Sequence, residues 1–84
     1  MYKEIKAEER SLFYELYLHL NFTNGWLMEQ YKKLSKERRH ILTEQGERLV
    51  HEAKCNGVKS VYYENHSLAI FCVLLLRGYD FKMF

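Results

Sequence analysis

The chain has 84 residues, enough for a single domain and too few for separate cofactor and substrate domains. Its 48% hydrophobic and 15% aromatic content excludes a disordered or collagen-like chain, while a core this small is marginal enough that self-association or a partner is expected. Thirteen Lys and Arg against eleven Asp and Glu give a net charge of +2, too little for a generic polyanion binder and of the wrong sign for a DNA mimic.

From residue 4 to 21, Ile5, Leu12, Phe13, Leu16, Tyr17 and Leu20 recur at intervals of three and four, which predicts a first helix. Tyr14 and Leu18 add apolar groups on its flank, more than one stripe against a small core requires. The run Asn21, Phe22, Thr23, Asn24, Gly25 is turn chemistry, and Thr23 or Asn24 can cap a second helix over about 26–34 with Leu27, Tyr31 and Leu34 on one side. Ser35 is a natural N-cap for a third helix whose inward candidates are Ile41, Leu42, Leu49, Val50 and Ala53. Gly46 in its middle is expected to bend or break it, and Gly57 to stop it.

Residues 58–64, rich in β-branched and aromatic side chains, read as a strand. Residues 67–77 read either as a helix, with Asn65 or Ser67 as N-cap and Gly78 just past its end, or as the second strand of a hairpin. The helix is favoured, because both ends carry suitable residues and no Asn-Gly or Asp-Gly turn supports the hairpin. Residues 79–84 complete the pattern as a short C-terminal strand. The predicted fold class is therefore α+β: three N-terminal helices, a strand, a buried apolar helix or second hairpin strand, and a short final strand.

Proline is absent and only four glycines interrupt the chain, so residues 1–84 read as one domain without linkers or repeats. Cys55 and Cys72 form no CxxC and no disulfide framework, which points to reduced thiols in the cytoplasm. The charged N-terminus lacks the apolar core of a signal peptide, and the longest apolar run, 68–76, is about half a membrane span. A soluble, cytoplasmic protein without membrane contact is expected.

Charge is uneven along the chain. Residues 1–30 hold three bases and five acids (net −2), residues 31–60 eight bases and four acids (net +4), and residues 61–84 two of each. The cluster Lys32, Lys33, Lys36, Arg38 and Arg39 is suited to phosphates, which Lys and Arg neutralise, and Tyr31 and Trp26 lie close enough in sequence to stack on a base. RNA is preferred over duplex DNA because no reading helix is recognisable.

His51 and Cys55 stand at i, i+4, where two side chains can grip one metal ion. Four-coordinate zinc needs two more ligands, and His19, His40, His66 and Cys72 stand in no paired spacing. The expectation is a solvent-facing His beside a half-buried Cys, with no metal and no cofactor. His40 with Glu44 and Glu47 with His51, again at i, i+4, are acid/base pairs of a kind common on charged helices. No catalytic residue is assigned and no small-molecule substrate is expected, because no phosphate loop, Ser/His/Asp signature or acidic metal cluster is found.

Residues 45–79, with Gln45-Gly46, Ala53, Gly57, the Asn65-His66-Ser67-Leu68-Ala69-Ile70 segment and Arg77-Gly78-Tyr79, resemble the C-terminal part of GNAT-type acetyltransferases. The pyrophosphate loop of that family is reduced here to a single Gln-Gly, and Leu74 stands near the place of its tyrosine. The compact, proline-free composition resembles the small early or accessory proteins of T-even-type phages, a resemblance that implies binding and inhibition of a host or defence factor and transfers no site residues. The expected function is that of a non-enzymatic interaction protein, a homodimer or other homo-oligomer, acting on a macromolecular partner. Its contact candidates are Tyr14, Leu18, Leu68, Phe71 and Leu75; the alternative is an RNA-binding protein using residues 32–39, and a second alternative is a degenerate GNAT-like fragment.

Overall fold

A computed structural model describes residues 7–59 and 63–78. Four helices follow in order, α1 (Ala7–Leu18), α2 (Asn24–Lys33), α3 (Lys36–Asn56) and α4 (Glu64–Leu76), and no strand occurs among the described residues. The α+β expectation is thus overturned in favour of a small helical bundle. Of the predicted 58–64 strand, Val58 and Lys59 are irregular chain, Tyr63 is the N-cap of α4, and 60–62 lie outside the described residues. The predicted final strand at 79–84 also lies outside them. The β-branched signal at Val58 has a different cause: its side chain packs against the helical core from the connection.

The helix boundaries follow local chemistry. Thr23 caps α2, its hydroxyl accepting from the Trp26 N–H at 3.2 Å. Ser35 caps α3 in the same way, accepting from the Arg38 N–H at 3.1 Å. Gly57 ends α3 at φ 86°, and Gly78 follows α4 at φ 76°, both in the region that favours glycine. The N-terminus of α4 departs from expectation. It begins ahead of both predicted caps, at Tyr63, which supplies no side-chain hydrogen bond, so that Asn65 and Ser67 lie inside the helix.

Residues 67–76 are helical with Arg77 as the C-cap, and the hairpin alternative is excluded. This helix is the centre of the bundle: every residue from Ser67 to Leu74 is buried. Phe13, Leu16 and Leu20 cover it from the α1 side, Leu27 from α2, and Leu42, Val50 and Ala53 from α3. Three short helices can bury such an element only by nearly surrounding it. The other three helices bury it from Ser67 to Leu74 while Leu76 stays exposed, and Gly46 lets α3 approach it closely.

Gly46 does not break α3, which runs unbroken through it. It is buried against α4, where a Cβ would overlap the Ala69 carbonyl oxygen and Val73 Cγ2 and would stand 2.8 Å from the Ala69 carbonyl carbon. Without that methyl the two backbones meet directly, and α3 with α4 forms the most extensive helix pair of the fold. Helix spacing depends on the side chains at the crossing, so a glycine there lets one helix wrap closely over another.

The inward predictions for the other helices are mostly met, with Leu27 buried and Tyr31 and Leu34 packed partly against the core. Ile41 is the exception, exposed on α3. At the α1–α2 corner the Tyr17 hydroxyl donates to Asn24 Oδ1 at 2.6 Å, and Phe22 stacks on Trp26 with ring centroids 4.5 Å apart. Arg77 closes the far end of α4. Its guanidinium donates to Glu47 Oε2 at 2.9 Å and lies 5.6 Å from the Phe13 ring centroid. No described helix is long and apolar enough to cross a membrane.

Candidate functional site

The two-residue junction Leu34-Ser35 brings the last turn of α2, with Lys32 and Lys33, next to the first turn of α3, with Lys36 and Arg38. All four side chains are exposed. Lys32 and Lys33 sit where the negative end of the α2 dipole favours them, whereas Lys36 and Arg38 oppose the positive end of α3 at roughly 0.3–1 kcal/mol each. Glu37 partly offsets this, and Lys33 approaches Glu29 at 3.9 Å in a solvated pair that contributes little.

Arg39 and Tyr31 do not belong to that exposed group. The Arg39 guanidinium lies 4.3 Å from the Tyr31 ring centroid and donates through Nη2 to the Tyr31 carbonyl at 3.1 Å, while the Tyr31 ring meets Phe71 edge-on at 6.2 Å. The expectation that Arg39 is exposed and Tyr31 open to a base is therefore corrected. Arg39 folds back across the junction because one long side chain can there satisfy a helix-terminal carbonyl and cover an aromatic face together. Trp26 already has its ring partner in Phe22.

The apolar contact candidates also divide. Leu68 and Phe71 are 7% and 0% exposed and belong to the core, and Leu75 is partly buried against it. Tyr14 and Leu18, one turn apart on α1, remain 44% and 56% exposed. Their helix already commits Phe13 and Leu16 to the interior, so the pair lies on the opposite, outer flank.

Of the acid/base pairs, His40 Nε2 stands 3.1 Å from Glu44 Oε1 with both side chains largely in water. Glu47 pairs with Arg77 across the bundle, which makes it a structural residue. His51 Nε2 lies 3.8 Å from Cys55 Sγ, and Cys55 is exposed, not half-buried as expected. Cys72 is buried, and loss of hydration pushes its thiol up to about 11 against the opposing pull of the Arg39 charge. No group of three or more His, Cys, Asp or Glu that could hold a metal ion occurs among the described residues.

A feature that the sequence did not reveal is an open cleft of about 280 Å³ where α1, α3 and the start of α4 meet. Leu16, Leu49, Ala53 and Ile70 make its apolar floor, and Glu52, Asn56, Lys59, Tyr63 and His66 its rim. Its residues are scattered over the sequence, and no spacing rule links them. Comparison with known proteins finds no matching family model, no matching curated protein and no matching solved structure.

Proposed function

We propose that this protein is a non-catalytic helical binding module that occupies a surface of a protein partner through the outer flank of α1 and so modulates that partner. The observation that carries the reading is the exposed pair Tyr14 and Leu18. Single exposed apolar residues are ordinary, but these two share a helix face. The chain buries the apolar run of α4 from Ser67 to Leu74 within itself, leaving Leu76 exposed at its end, and Tyr14 and Leu18 stand apart from that run on the outside of α1.

A test uses tagged protein incubated with extract of its native host, with and without ribonuclease, beside Leu18→Glu and a Lys33→Gln/Lys36→Gln/Arg38→Gln triple variant. The reading expects a protein partner retained after ribonuclease and at raised salt, kept by the triple variant and lost by Leu18→Glu. A second reading, RNA binding at the α2–α3 junction, is favoured by Lys36 and Arg38, which stand against the local dipole where a phosphate would compensate them. Retention that disappears with ribonuclease or in the triple variant, and survives Leu18→Glu, would replace the first reading with the second.

A further inference from the structure

We propose that the exposed His51 and Cys55 pair is half of a tetrahedral zinc site that a second copy of this chain completes, giving a metal-bridged dimer with a Cys2His2 ligand set. The geometry supports this more than the spacing alone. Zinc bonds of about 2.3 Å to sulfur and 2.0–2.1 Å to nitrogen, at the tetrahedral angle, place the two donor atoms about 3.6 Å apart. Cys55 Sγ and His51 Nε2 already stand 3.8 Å apart on one face of α3, so a metal can enter with only small side-chain movement.

Two donors leave two coordination positions, and no third His, Cys, Asp or Glu among the described residues joins this pair. Both residues are exposed, so a second molecule can reach them. A two-fold axis through the metal presents the same pair from the other chain, which is the self-complementary arrangement of a symmetric dimer. Two thiolates and two imidazoles make a closed, structural set with no position left for a reactive water. Each Cys55 thiol gives its proton to solvent on binding and each His51 binds as neutral imidazole through Nε2, so one metal ion releases two protons from the thiols.

The site is separate from the α1 flank and from the basic junction, and its failure would leave the proposed function standing. The test uses the full chain kept reduced, titrated with Co²⁺ alone and then with Zn²⁺ alone. The expected result is saturation at half an equivalent per chain, with the intense visible absorption of tetrahedral cobalt and a thiolate charge-transfer band. The sedimenting mass should double from 10.2 kDa and return on chelation. Zinc should slow alkylation of Cys55 at least tenfold, and Cys55→Ser and His51→Ala should each abolish the cobalt spectrum with the helical circular dichroism unchanged.

One equivalent bound by a monomer would overturn the proposal, as would a spectrum unchanged in Cys55→Ser. So would the absence of any thiolate band at about 100 μM metal, a concentration well above the affinities of structural zinc sites. A dimer of the reduced chain that persists after chelation would overturn it as well, because association would then not depend on the metal.

Discussion

Substituting Gly46 by alanine sets helix propensity and packing against each other. In an isolated helix the change gains about 1 kcal/mol, because alanine loses less backbone freedom on ordering than glycine. In this bundle the new methyl would overlap the Ala69 carbonyl and Val73 Cγ2. The first of these is main chain of a buried helix and cannot rotate away, so α4 must shift from α3 along their whole contact. Overpacking of this kind costs typically 1–3 kcal/mol and sometimes more, and moving the central helix loosens every neighbour it touches. A net loss of about 2 kcal/mol is expected, equivalent to a fall in Tm of roughly 8–16 °C for a domain of this size. Urea unfolding followed by circular dichroism measures it, with Gly25→Ala as control: nothing lies within 4 Å of a Cβ there, so that change should be neutral or slightly stabilising. A Gly46→Ala protein as stable as the wild type would show that α3 and α4 do not meet backbone to backbone, and the explanation for the enclosed α4 would fall with it.

Ser67 is fully buried with no hydrogen-bond partner for its hydroxyl among the described residues, so Ser67→Ala should raise stability by about 1 kcal/mol, and a Tm lowered by several degrees would contradict this. Burial of the Cys72 thiol makes its folded state the one that holds the proton between the ordinary value of 9.0 and about 11, so the stability it protects is intact below pH 9 and is lost as pH rises through 11. That loss is on the order of 2 kcal/mol, and unfolding measured from pH 8 to 11 should show a steeper decline for wild type than for Cys72→Ala; parallel curves would refute it. Native thiol labelling should modify exposed Cys55 first and reach Cys72 only on unfolding, whereas equal rates would mean that α4 opens easily. Arg39→Gln should destabilise by about 1 kcal/mol through loss of its Tyr31 contacts, whereas Lys36→Gln should change stability by under about 0.5 kcal/mol; equal effects in thermal melts would place Arg39 back among the exposed cations.

The parts of this protein settled by sequence are those governed by neighbours along the chain. The Thr23 and Ser35 caps, the Gly57 and Gly78 stops and the apolar stripe of α1 were readable, because a cap needs a hydroxyl within one turn and a stop needs a glycine just past the last one, whereas the apolar run at 67–77 suited a helix or a strand by composition. Tertiary structure decided what one element does to another. Residues 58–64 carry strand-forming side chains, yet at the described positions Val58 packs on the helical core and Tyr63 opens α4, uses of apolar surface that propensity alone does not distinguish from a strand. Arg39 and Arg38 are indistinguishable in sequence and differ only because one reaches Tyr31 across the junction. Gly46 is the clearest case. Local propensity makes it a flaw in a long helix, whereas the approach of Ala69 and Val73 makes it the point that lets α3 cover α4, and that approach belongs to no stretch of sequence shorter than the fold.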